Sequence, residues 1–204
     1  AKVQSAKDED PGNPTINFRG EPRRNDTHQS TTDPESVLYR KASGKEARLC
    51  FGGHILMENR NGLCADFTIH DPIAEPEPVM ALHQAEAHQR LHQGVQVKTV
   101  GADKNYHRKD FVAGCRERNI VPHVACKEGV KVLGLDGRTT RKESYRVSQR
   151  IRKRVEEIFG WVKTVGGLRR SRYRGKERTQ AWGYFVAGTY NLLRIARLSL
   201  AGAR

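Results

Sequence analysis

Apolar and polar positions change period along this chain, and each change marks an element. Residues 47–70 hold two apolar runs, ARLCFGGHILM and GLCADFTIH, on either side of Glu58-Asn59-Arg60-Asn61-Gly62. An Asn-Gly step supplies the positive φ that a tight turn needs, so a β-hairpin is predicted. Pro72, Pro76 and Pro78 then interrupt the pattern, and residues 79–93 have helical composition up to Gly94, a residue suited to ending a helix. Residues 95–102 (VQVKTVGA) form a short β-rich run that stops at Asp103. Residues 108–118 predict a helix with Phe111, Val112 and Cys115 inward, and residues 120–125 predict the next strand. Hairpin, helix, strand, helix, strand is the order of an α/β layered domain with a partly parallel sheet.

Residues 127–140 contain three glycines and read as a loop. A long helix is predicted over residues 145–165, ended by Gly166 and Gly167. At about 100° per residue, Gln149, Arg152, Glu156 and Lys163 fall within about 60° of arc on it. Val147, Ile151, Val155, Ile158 and Val162 gather on the other side, which anchors the helix while presenting the polar stripe. The stretch LRRSRYRGKER is basic and irregular, with Tyr173 among the arginines, and residues 179–200 predict a final amphipathic helix. Residues 1–46 are polar, rich in Pro, Gly, Asn and Asp, and sustain neither period. They predict an irregular arm with no strand at the central sheet position, leaving 47–204 as the folded domain. No internal repeat is present.

Charge then narrows the partner. The 204 residues carry 37 Lys and Arg against 23 Asp and Glu, a net charge of +14. The excess is concentrated: residues 138–178 hold 15 Lys or Arg and 4 Asp or Glu. Such a block is the footprint of a polyanion surface. No run of eighteen apolar residues exists and the chain starts on the polar AKVQSAKDED, so nucleic acid is favoured over a membrane. Cys50, Cys64, Cys115 and Cys126 lack paired spacing and read as reduced, buried thiols of a cytosolic protein. His88 and His92 could share a helix face, but His83 lies too far round and nothing completes a zinc site.

The chemistry rests on two carboxylates. Asp103 closes a strand, where an α/β sheet puts its working residues, although a strand-end Asp also serves as an ordinary cap or turn residue. Glu156 stands among cations in mid-helix, which is equally a description of a solvated basic face. Together they suit a divalent ion beside phosphates: Mg²⁺ (or Mn²⁺) takes one or two protein carboxylates and completes its shell with water and substrate oxygens.

The stretches FRGEPRRNDTHQSTTDPESVLYRK, GKEARLCFGGHILMENRNGL, GADKNY, NIVPHVAC, DGRTTR and SQRIRKRVEEIFGWVKTVGGLRRSRYRG, in this order and over nearly the whole length, resemble the DDE transposases of bacterial insertion sequences, in the insertion sequence five branch. The resemblance implies an RNase H-like mixed sheet with flanking helices, and three acids holding two metal ions. Asp103 matches the second acid and Glu156 the third; Glu157, about 100° further round, is the neighbouring alternative. Arg152, Glu156 and Lys163 match the signature around the glutamate, while Gln149 stands where tyrosine is expected. Gln149 would join the DNA-binding residues, Arg152 and Lys163 would contact phosphate or organise the carboxylates, and Arg150, Lys153, Arg169, Arg170, Arg172 and Arg174 would add backbone affinity. The first aspartate of the family has no counterpart: Asp8 and Asp10 lie in a polar segment without strand character. The chain is therefore expected to be the carboxyl part of a transposase, lacking the first strand and the N-terminal DNA-binding region, and to be a poor nuclease by itself.

The implied partners are double-stranded DNA at transposon ends and target, and further copies of the chain in a complete enzyme, in a bacterial cytoplasm at the nucleoid. A non-catalytic basic DNA-binding remnant is the competing reading, and a basic RNA-associated structural protein ranks last because it leaves the two acids without purpose.

Overall fold

A computed structural model of the chain describes residues 24–202. Its strands are β1 (Val37–Tyr39), β2 (Arg48–Cys50), β3 (Gly52–Met57), β4 (Cys64–His70), β5 (Thr99–Ala102) and β6 (Val121–Val124). Its helices are α1 (Glu77–Leu91), α2 (Lys109–Glu117), α3 (Gly137–Thr140), α4 (Glu143–Ile151), α5 (Val155–Thr164) and α6 (Lys176–Gly202), with 3-10 turns at Lys104–Tyr106 and Arg152–Arg154. The mixed α/β class and the predicted order both hold.

The expected single sheet is divided into three pairs: β1 with β2 and β3 with β4 antiparallel, β5 with β6 parallel. Helix side chains occupy edges where a further strand would add. On β4, Gln180 accepts from Ile69 N at 2.6 Å and donates to Phe67 O at 2.8 Å, while Asn191 accepts from and donates to the backbone of Cys64, both at 2.8 Å. On β6, the Tyr145 hydroxyl donates to Val124 O at 2.8 Å. Buried backbone groups must find partners, and these amides and this hydroxyl supply them in place of a neighbouring strand.

Two cores follow from that division. One lies between the β3–β4 hairpin and helices α5 and α6, built on Ile55, Phe67, Ile69, Ile158, Val162 and Val186. The other lies between the β5–β6 pair and helices α1 and α2, built on Ala85, Phe111, Val112, Cys115, Ile120 and Val124. Helix α1 belongs to both: Ala85 is in the second core, while Gln84 donates to His54 O and Thr68 Oγ1 of the hairpin. Gly183 lets α6 approach β4 closely, since a Cβ there would overlap the Phe67 ring.

Local details test the expectations in turn. Gly62 has φ 69° at the hairpin turn, as its Asn-Gly step requires. The strand expected over 95–102 is confined to Thr99–Ala102. In the segment expected to be an irregular arm, β1 forms a strand, secured by Asn25, whose side chain donates to Leu38 O and accepts from Leu38 N. Three residues give too short a period to be read from sequence. Asp8 and Asp10 lie outside the described residues.

The long helix over 145–165 is in fact two helices joined by a 3-10 turn at Arg152–Arg154. The joint falls where the helix passes from one core to the other, between Ser148 over the parallel pair and Ile158 over the hairpin. A 3-10 turn advances about 120° per residue, so three residues rotate α5 by about 60° beyond a continuous helix. Cys64 and Cys115 are buried, with thiols pushed up to about 12 by desolvation, whereas Cys126 is exposed, against the expectation of burial.

Candidate functional site

Asp103 follows β5 and is half-buried. Its Oδ1 accepts from Asn105 N at 2.8 Å, capping the 3-10 turn Lys104–Tyr106, so the carboxylate is held at the strand end as the cap of the next element. With burial and Glu77, its charge holds the Tyr106 hydroxyl well above the usual phenol range. Tyr106 also meets His54 Nε2 at 3.4 Å, which ties the strand end to the hairpin.

The polar stripe meets this strand through Arg152. A Cβ at Gly101, two residues before Asp103, would stand 3.5 Å from Arg152 Cβ and 3.5 Å from Ser148 O. These are ordinary van der Waals separations, so α4 and the 3-10 joint lie directly on the strand at this point. Arg152 is half-buried, and its Nε donates to Gln149 Oε1 at 2.9 Å. The same Gln149 donates its amide to His123 O on β6. Gln149 thus engages both β6 and Arg152, and orients the guanidinium from the position where the resembled family has tyrosine. Beneath it, His123 Nδ1 meets Ser148 Oγ at 2.7 Å, and burial with nearby Lys142 and Arg116 holds that imidazole below its ordinary range.

Glu156 is exposed in the first turn of α5 and accepts no hydrogen bond from the described residues. Lys163 lies further along the same helix, its ammonium 5.4 Å from the Phe159 ring centroid. Arg150, Lys153, Arg169, Arg170, Arg172 and Arg174 are all exposed. The last four share one groove with Lys163, while Arg150 and Lys153 lie on the helix outside it. Sequence reasoning missed two participants, Ser148 and Gly101; the sole signal for the glycine was its place just before the strand-end Asp.

The donor chemistry sets a limit. Asp103 has one oxygen engaged by Asn105 N and the Glu156 side chain is exposed on α5; carboxylate oxygens are the donors a hard ion takes. No group of three or more His, Cys, Asp or Glu that could hold a metal ion occurs among the described residues. His88 and His92 do share a face, with rings 4.6 Å apart, and remain a pair. No helix among the described residues is long and apolar enough to cross a membrane.

The sequence pattern that defines the family described as "Transposase DDE domain" matches residues 23–192. No curated protein and no solved structure matches the chain.

Proposed function

Because the chain belongs to the transposase DDE domain family and so has a role in DNA transposition, we propose that Asp103 and Glu156 are the second and third acids of its DNA-cutting site, in the insertion sequence five branch and on an RNase H-like core. The observation that carries this reading is the seating of the signature helix at Arg152 on Gly101, two residues from Asp103. It seats the end of α4 and the 3-10 joint, from which α5 and Glu156 continue, on the strand that precedes Asp103.

DDE transposase domains generally use divalent metal ions. Asp103 and Glu156 would hold Mg²⁺ or Mn²⁺, which supplies an activated water or hydroxyl and charge relief at the leaving oxygen. The chain's own residues bind and orient. Arg152, fixed by Gln149, presents its remaining N–H groups to a phosphate, and a planar guanidinium suits two of its oxygens at once. Lys163 adds a point charge further along α5. The exposed arginines after α5 hold backbone without reading sequence.

Two carboxylates hold one ion, and the reaction of the resembled family calls for a third acid. We propose that this third group lies outside residues 24–202, and that the chain by itself binds duplex DNA in a salt-sensitive manner yet cuts it little. The second reading, a DNA-binding remnant without catalysis, is favoured by a different observation: the exposed Arg169, Arg170, Arg172 and Arg174 share one groove and serve binding without need of a metal. DNA of transposon ends and target, further copies of the chain and a nucleoid location belong to the same proposal.

The test is Mn²⁺ binding to the full chain, followed by electron paramagnetic resonance. Weak binding abolished by either Asp103→Asn or Glu156→Gln is expected; binding that survives both substitutions would remove the shared-ion reading. Nicking of duplex DNA tests the other half. Robust Mg²⁺-dependent cutting lost in Glu156→Gln would overturn the need for an outside acid.

A further inference from the structure

A groove of about 1690 Å³ runs between the β1–β2 pair and residues 168–174, and the two carboxylates do not account for its lining. It carries nine Lys or Arg side chains against three Asp or Glu. One wall presents Lys41 and Arg48, the latter engaged by Glu46 at 2.6 Å. The other presents Lys163 and the four arginines of 168–174. The floor between them is apolar: Phe51, Phe159 and Leu168 are half-buried, and Tyr173 stands 43% exposed against Trp182, with ring centroids 5.8 Å apart.

The first wall is built in place. Asp33 Oδ2 accepts from Gly175 N at 3.1 Å, and Glu35 accepts from Lys176 N. Both carboxylates thus sit at the start of α6, where amide hydrogens lack intrahelical partners and the helix favours negative charge. Gly175, with φ 85°, permits the approach. At its other end the groove runs toward the site: Asn105 and Arg108 line it shortly after Asp103, and Lys163 lines it two turns beyond Glu156.

We propose that this groove takes an unpaired stretch of DNA adjoining the phosphate to be cut. A duplex turns its phosphates outward and hides its bases, so basic walls alone would serve it. An apolar, aromatic floor between two basic walls serves a strand whose bases are unstacked, each base face finding a side-chain surface while the backbone meets cations on either side. The arm residues 33–50 therefore act as a DNA-binding wall. The inference rests on the DNA-cutting reading for its orientation toward Asp103 and Glu156.

The test measures fluorescence anisotropy of the full chain in EDTA with a 20-nucleotide single-stranded DNA, a blunt duplex of the same sequence and the equivalent single-stranded RNA. Tighter binding of the single-stranded DNA than of the other two is expected. Tyr173→Leu weakens the single strand by about tenfold, the effect of one lost stacking surface, and leaves the duplex within about twofold. Lys41→Ala, an exposed change on the opposite wall, lowers the salt slope for the single strand by about 0.7. Equal loss for strand and duplex in Tyr173→Leu, an unchanged slope in Lys41→Ala, or preference for duplex or RNA would each overturn the proposal. Since EDTA removes any metal, these affinities do not depend on an ion held by the carboxylates, and failure of the carboxylate reading, seen in Mn²⁺ binding, is distinguished from failure of this one.

Discussion

The hairpin half and the parallel half solve one problem differently. Each has a two-stranded sheet too small to be stable without helices packed on it. In the hairpin half, the 27-residue α6 lies along β4 and contributes two amides that both donate and accept, at Gln180 and Asn191. In the parallel half, the nine-residue α4 contributes only donors to the strand backbone, Tyr145 to Val124 O and Gln149 to His123 O. The difference teaches where the candidate site is soft. Asp103 belongs to the parallel half, whereas Glu156 rides on α5, rooted in the hairpin core by Ile158 and Val162. Their relation is set across the 3-10 joint and by the seat of Arg152 on Gly101, not by either core alone.

The largest effect should come from emptying one core at a time. Phe111 is 1% exposed and Ile158 fully buried, so Phe111→Ala is expected to cost about 3–5 kcal/mol and Ile158→Ala about 2–5 kcal/mol. Because α1 joins both cores through Ala85 and Gln84, both variants should still unfold in one transition. Calorimetry decides this, and a two-step melt in either variant would show the halves to be separate units.

Removing the edge amides sharpens the contrast at smaller cost. Gln180→Ala leaves Ile69 N and Phe67 O without partners, at about 1–3 kcal/mol for each orphaned group. Gln149→Leu takes one donor from His123 O and is expected to cost about 0.5–1.5 kcal/mol, yet it also frees Arg152. DNA affinity should therefore fall in Gln149→Leu and hold in Gln180→Ala, as measured by anisotropy. Equal affinity in the two would mean that the guanidinium needs no positioning.

What the sequence disclosed follows the range of the interactions. The hairpin was legible because its turn is local, an Asn-Gly step placing Gly62 at positive φ. The inward face of α2 was legible from Phe111, Val112 and Cys115, since helical spacing alone sets it. The edge amides were not, because Gln180 and Asn191 act on residues more than a hundred positions away. Nor was the break at Arg152–Arg154, which has neither proline nor glycine to announce it and arises from the change of core beneath the helix. The two acids were legible as residue types at a strand end and on a helix; Gly101, against which Ser148 and Arg152 rest, has no chemistry of its own to mark it.

The smallest effect concerns acid. His54 in the hairpin half, and His107 and His123 in the parallel half, are 9%, 4% and 1% exposed, and burial holds all three below the ordinary histidine value of 6.5. Below 6.5 the unfolded chain takes up protons that these folded imidazoles refuse, so stability is fullest above that pH and falls as pH descends through it. The two halves should not weaken alike. His54 faces His70, which opposes its protonation, but also Glu77, which favours it. His107 faces Lys127, and His123 faces Lys142 and Arg116, so both parallel-half imidazoles meet only cations and oppose protonation further. Hydrogen exchange at pH 7.5 and 5.5, corrected for intrinsic rates, should lose more protection in Thr99–Ala102 and Val121–Val124 than in Gly52–Met57 and Cys64–His70. His123→Asn should shrink that difference, because an amide keeps a polar partner for Ser148 without a proton to gain. Greater loss in the hairpin strands would place the acid-sensitive element in the other half and reverse the ranking of the two.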